Sequence, residues 1–227
     1  MREVHFSIDD VVGSLMQVAT SPQGLDGSPV FRHLIRLHRL TGMKVTLYVF
    51  MRDGEGFSLD ALPSLFADYP WIRFGFHAVR PTNQPPVMSS AELDTALGEV
   101  HLCIASFAGE DQLSNIVRMH YWQYPDNYLQ ILARNGYNII LVKEEGDLPA
   151  RIPTENGVII TTWRTHVNIE TSSFMQIWGV IKSYLQSPDR GQPLVMFTHE
   201  WALARQRVIF RLIITIIFLR MCKFNFL

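Results

Sequence analysis

The amino-acid sequence predicts an α/β fold in which about seven or eight parallel strands form a closed or distorted barrel. Short apolar runs rich in β-branched and aromatic residues alternate with longer segments of helical periodicity. Such alternation favours parallel strands joined by right-handed crossovers. The chain has 227 residues, of which 48% are hydrophobic and 18% charged. We therefore expect one domain over residues 1–227, with a sizeable core.

The order of the predicted elements follows this alternation along the chain. Strands are predicted at residues 4–8, 44–50, 71–76, 116–121, 139–142, 158–162, 194–198 and 224–227. Helices are predicted at residues 31–41, 58–66, 89–107, 126–135, 174–185 and 205–220. Ser89 and Glu92 form a capping box at the start of one helix, and Gly42 and Gly136 end two others.

Composition and charge exclude several classes of protein. The formal net charge is -1 and there is no basic stripe, so we expect no nucleic-acid partner. The N-terminal residues lack the pattern of a signal peptide, which predicts a cytoplasmic location. The apolar run at residues 208–219 is shorter than the roughly 20 residues of a membrane span. We interpret it as a helix packed on the core, with membrane contact as the alternative.

Ionisable residues recur directly after the predicted strands. In a parallel barrel the strand ends that carry them meet at one rim, where active sites lie. The residues concerned are Asp9, Asp10, His77, Arg118, His120, Lys143, Glu144, Arg164, His166, His199 and Glu200. Their recurrence at the same relative position predicts a polar site at the C-terminal rim of the barrel.

The residue types at this rim suit a metal and proton transfer. A carboxylate and an imidazole, as in Asp10 and His77, are ligands of zinc and similar divalent metals. His199 can act as a general acid or base near neutral pH. The alternative for the aspartates is the capping of a turn, and for each histidine a packed, hydrogen-bonded side chain.

Four segments together give the chain a resemblance to the NodB-like polysaccharide deacetylases. Those proteins carry a Thr-Phe-Asp-Asp segment, a His-x-x-x-His segment, an Arg-x-Pro-Tyr segment and a late Leu-x-His segment. The corresponding segments here, in the same order, are Ser7-Ile8-Asp9-Asp10, His77, Arg118-Met119-His120-Tyr121 and Phe197-Thr198-His199. Pro81 stands where the second histidine of His-x-x-x-His is expected, and proline cannot ligate a metal through its side chain.

The resemblance implies an irregular (β/α) barrel and a metal-dependent hydrolase that removes an acetyl group from an N-acetylated sugar or polysaccharide. Asp9 would be the base, Arg118 would orient Asp9, and His199 would protonate the leaving amine. Asp10 and His77 would hold a divalent metal, with zinc expected, and His120 or His166 would complete the ligand set. Because of Pro81, we expect weak or incomplete metal binding.

The carbohydrate substrate would contact aromatic side chains at the rim. Tyr121, Trp122 and Trp201 are the candidates, with core packing as the alternative for the tryptophans. Two other functions stay open at this point. One is a non-catalytic relative that binds carbohydrate in the same cleft, and the other is a metal-dependent hydrolase of another amide or ester.

Overall fold

The computed structural model is an α/β protein with a (β/α)-barrel-like arrangement, as the alternation of apolar runs predicts. The structure describes residues 2–122, 127–142, 151–155, 157–161, 166–186 and 193–227. The strands are β1 Arg2–Val11, β2 Val45–Phe50, β3 Ile72–Ala78, β4 Ile116–Val117, β5 Ile139–Leu141, β6 Arg151–Pro153, β7 Ile159–Thr161, β8 His166–Asn168, β9 Leu194–His199 and β10 Phe224–Phe226. The helices are α1 Gly13–Thr20, α2 Pro29–Thr41, α3 Ser90–Phe107, α4 Tyr128–Arg134, α5 Phe174–Gln186 and α6 Gln206–Met221.

Two sheets share the strands of the barrel. The larger has the order β3-β2-β1-β9-β8, and β10 also pairs with β1. The smaller has the order β4-β5-β7-β6. All described strand pairs are parallel except β6 with β7. The parallel pairing brings the C-terminal ends of the strands to the same rim, which positions the site described below.

The central strands are buried on both faces, as parallel strands covered by helices are. β1 is buried from Val4 to Asp9, and every residue of β2 is buried. One cluster of buried apolar side chains extends from β1 to β10 and includes the inner faces of the helices. The strands therefore form a buried base, and the residues at their C-terminal ends lie at one rim above it.

Local differences from the predicted elements have physical causes. The helix predicted at residues 58–66 is only a short 3-10 turn, Leu59–Ala61. Pro63 disfavours helical geometry in the residue before it, and Leu62 is extended. The strand predicted at residues 116–121 ends at Val117, because the chain turns into the rim at Arg118. Helix α1 has no clear periodicity in the sequence and was not predicted.

The C-terminal helix and the final strand confirm the prediction for that segment. α6 buries Val208, Leu212, Ile216 and Leu219 against the barrel, and β10 adds a parallel strand to β1. In the described part of the chain, no helix has both the length and the apolar character that crossing a membrane would require.

Candidate active site

The two adjacent aspartates at the end of β1 take different positions because the strand is irregular there. The pairing register of β1 with β2 shifts between Ile8 and Val11, as at a β-bulge. Asp10 has φ 60°, in the left-handed region that aspartate tolerates better than most residues. As a result Asp9 points into the protein and is fully buried, whereas Asp10 is partly exposed at the rim.

Asp9 forms a buried ion pair with Arg118. One guanidinium nitrogen, Nη1, donates to Asp9 Oδ2 at 2.9 Å and to Oδ1 at 3.2 Å, and both side chains are 0% exposed. The guanidinium also lies over the ring of Phe197, 4.4 Å from its centre. This arrangement fixes the Asp9 carboxylate beneath the rim, with a positive charge beside it.

Asp10, His77 and His120 form a cluster of three potential metal ligands. One ligand atom of each residue lies within 4.8 Å of those of the other two. The His120 imidazole therefore lies beside the Asp10–His77 pair, where the sequence left His120 and His166 as alternatives. His166 is buried in the barrel interior, outside this cluster; burial, with the charges of Arg118 and His5, lowers its pKa far below the usual value.

Hydrogen bonds to backbone carbonyls fix the orientation of both histidines. His77 Nδ1 lies 2.6 Å from the Arg118 carbonyl oxygen, and His120 Nδ1 lies 3.2 Å from that of Asn83. A carbonyl oxygen only accepts, so each Nδ1 must carry the hydrogen and donate it. Each Nε2 is then the atom available for a ligand. Metal-binding histidines commonly have such a partner for their second nitrogen.

The contact between His77 and Asp10 tests whether the cluster suits a cation. His77 Nε2 lies 3.1 Å from Asp10 Oδ1. In the neutral ring with its hydrogen on Nδ1, Nε2 and an ionised carboxylate oxygen are both acceptors, so a proton shared between them or a cation beside them must satisfy the contact. Burial lowers the pKa of His120, assisted by the positive charge of His77, which favours the neutral form that a ligand needs. Two imidazoles and one carboxylate suit zinc.

His199 is held by Glu170, a residue that the sequence did not single out. His199 Nδ1 lies 2.8 Å from Glu170 Oε1, and Glu170 Oε2 accepts from the His199 backbone N–H at 3.1 Å. Burial alone would lower the pKa of His199. The hydrogen bond to Glu170, with the negative charges of Asp9, Glu170 and Asp10, outweighs burial and raises that pKa. His199 therefore keeps its proton to a higher pH than a free histidine.

Trp201 and Tyr121 lie at the edge of the cluster, partly open to solvent. The indole Nε1–H of Trp201 donates to Asp10 Oδ2 at 3.3 Å, and its ring stacks on that of His199 with 5.3 Å between centres. The ring of Tyr121 lies 4.2 Å from that of His120. Both aromatic side chains are thus at the predicted rim, with about half of their surface exposed. The side chain of Trp122 lies outside the described residues.

A cleft of about 830 Å³ lies on the same side of the chain as the loop that carries Asn83, and its lining includes none of the site residues described above. Its lining includes Arg52, Phe57, Arg80 and Thr82. Thr82 immediately precedes Asn83, whose carbonyl oxygen accepts from His120.

Comparisons with known proteins agree on the fold. No protein-family model and no curated protein matches this chain. Among solved structures, the chain is similar to the peptidoglycan N-acetylglucosamine deacetylase Bc1960, with 13% identity, a TM-score of 0.57, and coverage of 99% of this chain and 85% of that one. It is similar to a CE4 esterase from Streptococcus mutans, with 7% identity, a TM-score of 0.57, and coverage of 99% and 84%.

A third similar structure is a CE4 family pseudoenzyme from Bacillus anthracis, with 11% identity, a TM-score of 0.58, and coverage of 99% of this chain and 63% of that one. The fold of this chain is thus the barrel of the CE4 polysaccharide deacetylases. A fold shared by a deacetylase and a pseudoenzyme does not decide activity.

One acidic residue of the site, Glu170, could not be singled out from the sequence. Glu170 follows β8, a strand of only three residues that has no distinct apolar run; the alternation of Val167 and Ile169 before it was the available signal. Glu200, which the sequence places at the rim next to His199, has a different task. Its carboxylate accepts hydrogen bonds from the backbone N–H groups of Val12, Gly13 and Ser14 and so holds the start of α1. Its role is structural.

Proposed function

We propose that this chain is a metal-dependent hydrolase that removes acetyl groups from an N-acetylated sugar or polysaccharide. The single observation that carries the proposal is the position of His199, held by Glu170, beside the Asp10–His77–His120 cluster and above Asp9. A proton donor, a carboxylate and a three-donor metal cluster at one rim suit the hydrolysis of an amide.

Asp10, His77 and His120 would hold the metal. A divalent metal, when bound, lowers the pKa of its water toward about 7 and polarises a carbonyl oxygen. The hydrogen bonds from His77 and His120 to backbone carbonyls orient the two imidazoles for this task. His120 replaces the ligand that is missing at Pro81, so the expectation of an incomplete site gives way to a proposal of three protein ligands.

The remaining residues of the site move protons and position the substrate. As the oxygen of water bonds to the acetyl carbon, Asp9 takes a proton from that water. When the carbon–nitrogen bond breaks, His199 gives its proton to the departing amine, and acetate and a free amino sugar result. Arg118 positions the Asp9 carboxylate, and Glu170 orients His199 and favours its protonated form. Trp201 and Tyr121 would stack on sugar rings.

The test is acetate release from short N-acetylglucosamine oligomers, with metal content measured on the same samples. The wild-type chain loaded with zinc should release acetate, and His199→Ala should lower the rate about 10²–10⁴-fold. His33→Gln, on the surface of α2, is the matched control and should leave the rate unchanged. Turnover by the zinc-loaded chain that survives both Asp9→Asn and His199→Ala would exclude these roles.

One observation favours a second candidate, a carbohydrate-binding protein without catalysis. Asp9 is fully buried and paired with Arg118, so a water must reach it before it can act as a base. Sugar binding measured by calorimetry, without turnover of any acetylated amine or ester, would favour this candidate. Turnover of simple acetate esters but not of acetamides would instead indicate a hydrolase of another substrate.

A further inference from the structure

The outer surface of α5 and α6 exposes several large apolar side chains next to one another. We name it the α5–α6 face and define it by Phe174, Met175, Trp178, Phe210, Ile214 and Met221. Met175 is 79% exposed, Met221 75%, Phe210 58% and Trp178 46%. A groove of about 280 Å³ runs between the two helices.

The face is continuous across both helices because their aromatic side chains touch. The ring centres of Trp178 and Phe218 are 4.6 Å apart, and those of Phe174 and Phe210 are 6.4 Å apart. On α6 the exposed residues Phe210, Ile214 and Met221 recur at spacings of four and seven, so they form one stripe along the helix. The buried residues of α6 lie on its other side.

The charges on these helices are all positive. Neither α5 nor α6 contains an aspartate or a glutamate, although the chain has 21 acidic residues. Lys182 lies one turn after Trp178, Arg207 lies one turn before Phe210, and Arg220 is next to Met221. All three basic side chains are exposed. Within the two helices as described, the apolar stripe is accompanied by cations alone, and this complements a surface that is apolar inside and anionic outside.

We propose that the α5–α6 face binds the surface of a bilayer containing anionic lipids, with both helices lying in the plane of the interface. Exposed tryptophan and phenylalanine would enter the boundary between headgroups and acyl chains, and the cations would meet the lipid phosphates and carboxylates. A second copy of the chain fits the face less well, since it would oppose cations to cations. The face shares no residue with the candidate active site, so the proposal stands or falls separately from the proposed function.

Flotation of the full chain with lipid vesicles tests this proposal. The chain should float with vesicles of phosphatidylcholine and phosphatidylserine, and binding should fall as salt is raised. Lys182→Gln and Arg207→Gln should each weaken binding about fivefold, the usual effect of one cation at an anionic surface. Phe210→Ser should weaken it further. Leu102→Ser, at a site on α3 that is 76% exposed, is the matched control and should bind as the wild type does.

A second measurement locates the contact without a disruptive variant. Brominated acyl chains should quench tryptophan fluorescence when the chain binds, and Trp178→Phe should remove most of that quenching. Equal binding to vesicles of phosphatidylcholine alone would overturn the proposal, as would quenching that persists in Trp178→Phe. Sedimentation that shows a dimer broken by Phe210→Ser, with no vesicle binding, would assign the face to a second copy and overturn it as well.

Discussion

The buried ion pair between Asp9 and Arg118 makes a quantitative prediction about stability. Both side chains are 0% exposed, so neither charge can be solvated if its partner is removed. Breaking a buried pair by removing one partner typically costs about 3–5 kcal/mol. Arg118→Met should therefore lower the free energy of unfolding by about that amount, a large part of the roughly 5–15 kcal/mol of a whole domain. The lost contact of the guanidinium with Phe197 adds to this cost.

The double variant Asp9→Asn with Arg118→Met separates the ion pair from packing. It removes both charges and should cost less than the sum of the two single variants, with a coupling of about 0.5–3 kcal/mol. The chain supplies a matched control in Arg134 and Asp94, whose nitrogen and oxygen are 3.9 Å apart and whose side chains are 63% and 48% exposed. Arg134→Met should cost no more than about 1 kcal/mol.

The assay is urea unfolding followed by tryptophan fluorescence and by circular dichroism, whose transitions should coincide for a two-state analysis. The reasoning would be refuted if Arg118→Met cost as little as Arg134→Met, or if the double variant cost the full sum of the singles. Either result would mean that the two charges do not stabilise each other in the folded protein as a buried ion pair should.

Three further predictions concern pH, metal and the C-terminal segment. If His199 is the proton donor, the rate should fall as the pH rises through its pKa, which is raised above that of a free histidine. Glu170→Gln should move this alkaline limb of the pH–rate profile to lower pH, and an unmoved limb would contradict the role of Glu170. His120→Ala should reduce the amount of zinc bound per chain at least about tenfold, as measured by mass spectrometry, whereas His33→Gln should leave it unchanged. Equal zinc content in the two variants would remove His120 from the ligand set. Deleting the residues after Leu203 should leave insoluble protein, because α6 and β10 cover apolar side chains of the barrel. A soluble truncated chain with a cooperative unfolding transition would show that the barrel folds without this segment.

The sequence alone determined the barrel and most of the rim. Apolar runs of strand length fix which residues enter the core, and the polar residue that follows each run is then placed at the strand end. Asp9, Asp10, His77, Arg118 and His199 could be selected in this way because both their type and their position were informative.

The tertiary structure decided which residues meet. His120 rather than His166 joins Asp10 and His77, because β4 ends early and the chain turns at Arg118 to bring His120 over the rim, whereas His166 points into the interior. Glu170 reaches His199 from 29 residues away, across the parallel pairing of β8 with β9. Neither contact is local in sequence. Both depend on strand register and on where each strand ends, which periodicity fixes only to within a few residues.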